Sequence, residues 1–318
     1  MNHIVAFAGG VGGAKLAHGL ALACPEDRLS VVVNTADDFS LYGLHISPDI
    51  DTVTYTLAGL ANSDTGWGLA GDTFVTLEML RRYGQDTWFW LGDKDFATHI
   101  LRTEALRRGS TLTAAIRDLA TALGVDAQIL PMCNEPVATL IETPEGVLEF
   151  QDYFVRRQHV DEVTGVRFDG IDTATLSPEV SAAMTDSDVM VICPSNPIVS
   201  IGPILSVPGL RNRLRESEVP IVAVSPIVGG QALKGPADRM LASMGHEVSA
   251  LTIAMLYRDF LSGIVIDEQD AALVDRIATL DVAVHVTQTV MRSDDDRRRL
   301  AADTLAFAAT LTKRSVEK

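Results

Sequence analysis

Cysteine is scarce in this chain of 318 residues. Its three cysteines, Cys24, Cys133 and Cys193, lie far apart, include no C-x-x-C pair and are odd in number. These features argue against a disulfide framework and against a structural zinc site, and they suit the reducing cytosol. We therefore expect a cytoplasmic protein.

Basic residues are also few. The chain has 26 lysines and arginines against 42 aspartates and glutamates, which gives a formal net charge of −16. This balance disfavours nucleic acid or an anionic membrane as the main partner. If the protein binds phosphate groups, backbone amides and a metal ion must offset the unfavourable field, so Mg²⁺ is the expected cofactor.

Long apolar runs are missing as well. Proline or charged residues interrupt the longest apolar stretches before they reach the roughly 20 residues that a membrane-spanning helix needs. No positively charged segment precedes an apolar run near the N-terminus, so no secretory signal is evident. The sequence therefore predicts no membrane segment.

Glycine, in contrast, is concentrated near the N-terminus. The run Ile4–Phe7 predicts a buried parallel strand, and the stretch Ala14–Ala23 predicts a helix. Between them lie Gly9, Gly10, Gly12 and Gly13. A strand that turns into a helix through glycines presents unpaired N–H groups at the positive end of the helix dipole, and Lys15 adds an ammonium group. We interpret the turn as a phosphate site; because its spacing matches neither the dinucleotide fingerprint nor the P-loop, a tight turn without ligand is the alternative.

A second predicted strand, Leu29–Val33, ends in Asn34 and Thr35. Ligands of doubly wound sheets collect beyond the carboxyl ends of the strands. We therefore expect both side chains beside the glycine turn, in hydrogen-bonding range of a nucleotide. A turn that merely ends the strand explains them equally well.

Aspartates cluster in the following loop. Asp37, Asp38, Asp49 and Asp51 lie close in sequence to the predicted phosphate site, and carboxylate oxygens are the ligands that Mg²⁺ prefers. Asp49 and Asp51 also precede a helix predicted from about Thr52 to Leu60, so capping of that helix is the simpler alternative.

A second charged segment follows the aromatic run 88–91, which predicts a short strand. Here Lys94, between Asp93 and Asp95, can neutralise developing negative charge while one of the aspartates orients it, or the three can form a surface turn. Further along, the pattern indicates that His99 is a helix residue rather than a proton carrier. Two helices are predicted over residues 100–124, in which Arg102 is expected to be solvated.

The later chain returns to buried strands. Asp188–Ile192 predicts a parallel strand that ends in Ser195 and Asn196, which lie between prolines and suit contacts with a base or phosphate. A rigid turn without ligand is again possible. Ile221–Val224 predicts another such strand. The polar segment 151–176 is compatible with a lid or a dimer surface.

Together these loops closely resemble one family, the 2-phospho-L-lactate transferases (CofD, or FbiA in actinobacteria) of coenzyme F420 biosynthesis. The resemblance includes Ala-Gly-Gly-Val-Gly-Gly-Ala-Lys at 8–15, Val-Asn-Thr-Ala-Asp-Asp at 33–38 and Ser-Pro-Asp-Ile-Asp-Thr at 47–52. Further matching segments are 91–95, 97–99, 129–132, 150–153, 194–197, 200–203 and 224–229. They occur in family order and cover nearly the whole chain.

The resemblance implies an α/β fold with a Rossmann-like, three-layer parallel sheet. It implies a single domain over residues 1–318, with an inserted smaller α/β region at roughly 40–175. Family members are commonly dimers, so a homodimer is expected.

The resemblance also implies the reaction. A guanosine diphosphate ester of a three-carbon acid donates its acid-bearing phosphoryl group to the terminal ribityl hydroxyl of the deazaflavin Fo. GMP leaves, and coenzyme F420-0 or its dehydro form results. The donor is of the 2-phospholactyl, enolpyruvyl or 3-phosphoglyceryl type.

Site residues follow by position. The resemblance implies nucleotide and phosphate contacts from Gly9, Gly10, Gly12, Gly13, Lys15, Asn34, Thr35, Ser195 and Asn196. It places Asp51 and Lys94 beside Fo, where we also expect His99. Our candidates for the Mg²⁺ ligands are Asp37, Asp49 and Asp51. Asp51, Lys94 and Asp93 form the expected catalytic group, with Asp51 orienting or deprotonating the attacking hydroxyl.

Two departures from the family pattern bear on these roles. Lys94 stands where the family often has arginine, which would replace a bidentate contact with a point charge. The loop Gly12–Lys15 is nearer the actinobacterial form than the archaeal one, which favours a bacterial donor derived from phosphoenolpyruvate or phosphoglycerate.

The main alternative is a related, non-enzymatic class. YvcK-like regulators share the glycine loop and the Ala-Asp-Asp segment but only bind nucleotide sugars. The acidic segments 48–51 and 92–95 favour the transferase, because a binder needs no acidic metal loop. A dinucleotide-dependent dehydrogenase is disfavoured, since Asn34 occupies the place of the usual ribose-binding acid.

Overall fold

The computed structural model describes residues 2–25 and 28–311, so the domain expected over 1–318 includes some residues outside these ranges. The strands are β1 (His3–Ala8), β2 (Arg28–Val33), β3 (Phe39–Leu41), β4 (Leu44–Ile46), β5 (Gln128–Pro131), β6 (Ala138–Thr143), β7 (Gly146–Glu149), β8 (Gly165–Asp169), β9 (Val189–Ile192), β10 (Ile221–Val224), β11 (Ile227–Val228), β12 (Gln231–Ala232), β13 (Gly263–Asp267) and β14 (Ala283–Thr287).

Helices alternate with these strands along much of the chain. They are α1 (Gly10–Ala23), α2 (Pro48–Leu57), α3 (Val75–Arg82), α4 (Asp93–Arg107), α5 (Leu112–Ala122), α6 (Pro178–Thr185), α7 (Ile201–Ser206), α8 (Leu210–Arg215), α9 (Ala237–Ser243), α10 (Ala250–Tyr257), α11 (Val274–Ala278) and α12 (Asp294–Thr310). A π-helical turn covers Asp152–Arg156, and 3-10 turns cover Ile171–Thr173 and Glu268–Leu273.

Seven strands form a parallel sheet in the order β5–β2–β1–β9–β10–β13–β14. Phe7 of the central strand β1 pairs with Val32 of β2 on one side and with Ile192 of β9 on the other. The chain runs outward from β1 to β5, returns to β9 and then runs outward in the opposite direction. Strand order therefore reverses between β1 and β9, the position at which doubly wound sheets open a ligand crevice.

The sheet is covered by helices on both faces. Val5 and Phe7 of β1 belong to the core that includes Ile201 of α7, whereas the alternate residues Ile4 and Ala6 pack with α1 and α12 on the opposite face. Such alternation is what a strand buried on both sides requires. The predicted three-layer α/β fold is confirmed.

The predicted insertion at roughly 40–175 is divided by the topology. Strand β5 lies inside that range, yet it forms the edge of the main sheet by pairing with β2. One excursion before it carries the β3–β4 hairpin, α3 and α4, and a second after it forms the three-stranded antiparallel sheet β7–β6–β8. The segment 151–176, which the sequence left undecided, supplies the edge strand β8 of that small sheet.

Two local predictions were wrong. The aromatic run 88–91 is not a strand, and the charged segment after it is the first turn of α4 rather than a loop. Near the N-terminus, α1 begins at Gly10, so the glycines form the first turn of the helix itself.

Within the described residues, no helix combines the length and the apolar character needed to cross a membrane.

Candidate active site

A cavity of about 960 Å³ opens at the carboxyl edge of the parallel sheet. The turns after β1, β9, β10 and β14 form one side of it, and α2, α4 and the aromatic segments of the two excursions form the other. This volume lies in the range of small-molecule sites. The cavity therefore lies beside the reversal of strand order, where the fold predicts a ligand.

The first turn of α1 forms the floor of the cavity. The Gly9 N–H donates to Ser195 Oγ at 3.0 Å, and the Gly10 N–H donates to Asp49 Oδ1 at 2.8 Å. Gly10 has a φ of 61°, a conformation that favours glycine. A Cβ atom on Gly9 would lie 2.6 Å from Asp49 Oδ2, so the acidic side chain packs directly against this turn.

Gly12 and Gly13 are required by packing. A Cβ atom on Gly12 would overlap the Pro194 carbonyl oxygen, and one on Gly13 would meet Ser195 Oγ and Ala8. The helix can therefore approach the turn after β9 only because both residues lack side chains. Gly9, Gly10 and Gly12 line the cavity, but Gly13 is buried behind it.

Asn34 joins two buried aspartates behind this turn. Its Nδ2 donates to Asp37 Oδ2 at 2.9 Å, to Asp49 Oδ2 at 3.0 Å and to the Val199 carbonyl, and its Oδ1 accepts from the Ala36 N–H. Asn34 is fully buried, and its amide is committed to these contacts. The expected direct contact with phosphate is therefore replaced by a role in holding the aspartates. Thr35 is buried and does not line the cavity either.

The carboxyl groups of Asp37 and Asp49 are difficult to ionise in this arrangement. Burial, followed by repulsion from Asp49, raises the pKa of Asp37 well above its usual value. Burial likewise raises the pKa of Asp49 to about 6. Within the described residues neither carboxylate has a lysine, arginine or histidine as a salt-bridge partner. The two carboxylates offer oxygen ligands and have no cationic side chain as a salt-bridge partner among the described residues. Such a pair suits Mg²⁺.

Asp51 belongs to a different cluster. It lies with Asp95 and His99 so that one ligand atom from each falls within 4.8 Å of the others. The carboxylate of Asp51 is already paired with the buried guanidinium of Arg102, with Nη1 3.1 Å from Oδ2. Since Arg102 neutralises this carboxylate and would repel a cation, the predicted grouping of Asp51 with Asp37 and Asp49 on one metal ion is not favoured by the geometry.

The cluster around Asp51 is built from two facing helices. Asp51 and Tyr55 lie one turn apart on α2, and Asp95, His99 and Arg102 follow one face of α4. The Tyr55 hydroxyl donates to Asp95 Oδ1 at 2.6 Å. His99 lies between the carboxylates, with Nδ1 3.6 Å from Asp51 and Nε2 3.4 Å from Asp95. The predicted solvation of Arg102 was wrong, because its side chain is 1% exposed.

Cationic groups gather at the glycine end of the cavity. Lys15 and Lys234 both line it, as does Arg292. Lys15 Nζ donates to the Met291 carbonyl at 3.0 Å, and Lys234 Nζ donates to the Thr65 carbonyl at 3.3 Å. Burial lowers the pKa of Lys15, and repulsion from Arg297 and Lys234 lowers it further. An anion placed between these groups would relieve the repulsion.

Aromatic side chains of the two excursions around β5 form a second wall of the cavity. Those that line the cavity besides Tyr55 are Trp67, Phe89, Trp90, Phe150 and Phe154. Trp90 is half exposed and packs edge-on against Phe74, with ring centroids 5.1 Å apart. Phe150 and Phe154 stack with an interplanar angle of 7°. Such a wall suits a flat heteroaromatic ligand.

Asp93 and Lys94 lie outside the cavity. Asp93 accepts hydrogen bonds from the Val75 and Thr76 N–H groups, so it caps the start of α3. Lys94 is exposed, and its Nζ donates to the carbonyls of Ala70 and Gly71. Both residues therefore make structural contacts in this arrangement, and their catalytic and Fo-binding roles stay predictions.

Ser195 and Asn196 line the cavity as predicted, next to the glycine turn. The Asn196 Oδ1 accepts from the Ile198 N–H at 2.9 Å, which shapes the turn after β9. Sequence reasoning missed Tyr55, Arg102 and Lys234. The spacing of Asp95, His99 and Arg102 on one helical face is the signal that would have identified the polar cluster.

A protein of known structure shares the fold of this chain. A solved Bacillus halodurans protein of the UPF0052 family superposes with a TM-score of 0.62 at 16% identity, covering 96% of this chain and 99% of the other. This likeness places the chain in one fold class, the α/β proteins with a doubly wound parallel sheet.

Sequence comparison identifies the family. The model of the 2-phospho-L-lactate transferase CofD matches residues 4–306. A 2-phospho-L-lactate transferase of Methanococcoides burtonii is 40% identical, over 97% of this chain and all of its own length. A phosphoenolpyruvate transferase of Streptomyces griseus is 39% identical, over 96% of this chain and 98% of its own. The chain belongs to the CofD family of transferases.

Proposed function

We propose that the protein transfers the phospho-acid group of a guanosine diphosphate ester to the terminal ribityl hydroxyl of Fo, releasing GMP and forming coenzyme F420-0 or its dehydro form. The observation that carries this proposal is the division of one cavity into two ends. Anion-binding groups surround the glycine turn at one end, and an aromatic wall stands beside the Asp51 cluster at the other.

The glycine end suits the donor. The N-terminus of α1 and the ammonium groups of Lys15 and Lys234 provide a positive environment for a diphosphate. Ser195 and Asn196, in the adjoining turn, are placed to seat the guanosine. Mg²⁺ held by Asp37 and Asp49 would neutralise charge on the diphosphate.

The aromatic end suits the acceptor. A deazaflavin ring can stack on Trp67, Trp90 or Phe154, which would bring its ribityl chain towards Asp51 and His99. The terminal hydroxyl oxygen attacks the phosphorus that carries the acid, and the bond from this phosphorus to the oxygen of GMP breaks. Asp51 orients the hydroxyl and accepts its proton.

The test is a direct assay of the reaction. Protein, Mg²⁺, Fo and a guanylylated three-carbon acid are mixed, and GMP and the new deazaflavin product are separated by chromatography. Equal release of GMP and product supports the proposal. Nucleotide binding without GMP release would instead favour the non-enzymatic binder.

The identity of the donor can be tested by letting three candidate donors compete. The family includes relatives named for 2-phospho-L-lactate and for phosphoenolpyruvate. We propose an enolpyruvyl or glyceryl donor, from the form of the loop at Gly12–Lys15. Supplying the lactyl, enolpyruvyl and glyceryl diphosphoguanosines together and identifying the product by mass would test this choice, and a predominant lactyl product would contradict it.

A further inference from the structure

Arg102 is a charged side chain buried behind the cavity. It is 1% exposed and is not among the residues that line the cavity, whereas Asp51, Asp95 and His99 all are. Burying a guanidinium is unfavourable unless its charge and its N–H groups are satisfied. Its contacts therefore indicate what it does.

Two of its four polar contacts, the charge-assisted pair, are made to Asp51. Both terminal nitrogens of Arg102 donate to the two carboxylate oxygens, in the planar geometry that arginine alone provides. Nη1 also donates to the His45 carbonyl at 3.3 Å and lies 3.5 Å from His99 Nδ1. Burial lowers the pKa of Arg102, but the carboxylates of Asp51 and Asp38 raise it above its usual value. The guanidinium is thus a fixed cation that holds one face of Asp51.

We propose that Arg102 is a positioning residue, which holds the Asp51 carboxylate at the cavity wall in the orientation that receives the acceptor hydroxyl. This inference rests on the proposed function. Arg102 does not line the cavity, so it would act through the Asp51 carboxylate rather than on a substrate directly. A carboxylate fixed at both oxygens cannot rotate away from the hydroxyl, and misplacement by about 1 Å is enough to slow a reaction by about 100-fold.

The experiment is a double-mutant cycle on turnover. Arg102→Lys keeps the positive charge but removes the bidentate contact, so we expect kcat to fall about tenfold with the KM for the donor unchanged within about twofold. Asp51→Asn should lower kcat by about 100-fold or more. In the Asp51→Asn protein, adding Arg102→Lys should change kcat by less than about twofold, because the group it orients is already lost.

Arg107→Lys is the matched control. Arg107 lies on the same helix, is exposed and also donates to a backbone carbonyl, that of Gly43. The kcat of the Arg107→Lys protein should therefore equal that of the wild type. If the Arg102→Lys protein folds poorly, the same double-mutant cycle is measured with Arg102→Gln, which retains an N–H donor. The melting temperature of each variant shows whether it is folded.

The outcomes separate the two proposals. The same tenfold loss from Arg102→Lys in the wild-type and Asp51→Asn backgrounds would overturn the positioning role, as would an unchanged kcat in the single variant. A wild-type protein that forms no F420-0 product from any donor would contradict the proposed function itself.

Discussion

Individual side chains at the two ends of the cavity differ in how their charge is balanced. Asp51 is neutralised by Arg102, but Asp37 and Asp49, which both accept from the Asn34 amide, have no cationic side chain as a salt-bridge partner among the described residues. A buried carboxylate without a cationic partner destabilises the folded protein when it ionises. The acidic pair is therefore the position at which a divalent cation would bring the greatest gain.

Asp37→Asn should show this effect. Because burial raises the pKa of Asp37 in the folded state, ionisation lowers stability as the pH rises above the usual value near 3.8. Without metal at pH 7.5, we expect the variant to melt about 2–4 °C above the wild type, or ~1 kcal/mol. This advantage should vanish at acidic pH, where Asp37 is protonated.

Mg²⁺ should reverse the order of the two melting temperatures, so that the wild type melts above the Asp37→Asn protein. Added MgCl₂ should raise the melting temperature of the wild type, by linkage, and affect the Asp37→Asn protein much less. Calorimetry with and without EDTA measures both effects. Asp126→Asn, at an exposed position, should behave like the wild type, and equal stabilisation of all three proteins by Mg²⁺ would argue against this site.

Lys15→Ala tests the expected diphosphate site at the glycine end of the cavity. The half-buried ammonium lies among the groups expected to hold the diphosphate, and a charge-assisted hydrogen bond contributes about 1.5–3 kcal/mol. GDP affinity, measured by titration calorimetry, should fall at least about tenfold. Lys94→Ala is the control, since Lys94 is exposed, donates to the Ala70 carbonyl and is not among the residues that line the cavity. Unchanged affinity in Lys15→Ala would show that the phosphates lie elsewhere.

At the scale of elements, the close fit of α1 against the turn after β9 shapes the glycine end. Both Gly12 and Gly13 face this turn, at Pro194 and Ser195. The glycines therefore serve packing as well as ligand access. They bring the positive end of α1 and the Ser195 hydroxyl to the same side of the cavity.

Gly12→Ala should disturb that junction. The added methyl group would overlap the Pro194 carbonyl oxygen, which is backbone and cannot rotate away. We expect a loss of about 1–3 kcal/mol in the free energy of unfolding, together with weaker GDP binding. Denaturant unfolding and calorimetry measure these quantities.

Gly165→Ala provides the comparison. There the new methyl group would meet the end of the Glu142 side chain, which can move. Little change is therefore expected at Gly165. A Gly12→Ala protein as stable as Gly165→Ala would mean that α1 can shift without penalty.

At the scale of the whole molecule, the site joins two parts of the chain. The parallel sheet provides the anion-binding end, and the two excursions around β5 provide the aromatic wall. Each substrate would therefore contact mainly one part. Changes in the wall should alter acceptor binding and leave donor binding intact.

Trp90→Leu tests this separation. Stacking of a nucleic-acid base on an aromatic side chain contributes about 1–3 kcal/mol to binding, and we expect a similar contribution for the deazaflavin ring. Removing the Trp90 ring should therefore lower Fo affinity about tenfold or more. GDP affinity should be unchanged. Fo fluorescence and calorimetry report the two values. Trp88→Leu should keep Fo affinity, because Trp88 packs against Phe39 and Arg156 and does not line the cavity. Parallel losses for both ligands would contradict the division.

The sequence by itself determined the architecture and much of the glycine end. Apart from His3 and Ser30, the buried runs at β1, β2, β9 and β10 are continuous and apolar, as parallel strands covered on both faces must be, so their positions could be predicted locally. The cavity residues Gly10, Lys15 and Ser195 also follow these strands directly. Residues at the carboxyl ends of parallel strands meet at one edge whatever the remaining packing.

Only the tertiary structure decided how the charged residues are used. Asp93, Lys94 and Asp95 are consecutive, but the helix that contains them turns Asp95 towards the cavity and leaves Lys94 in solvent. Asp51 and Arg102 are 51 residues apart, and their pairing depends on the packing of α2 against α4. Local sequence predicts where a charge lies along the chain, whereas its partner and its solvent exposure are set by which elements pack together.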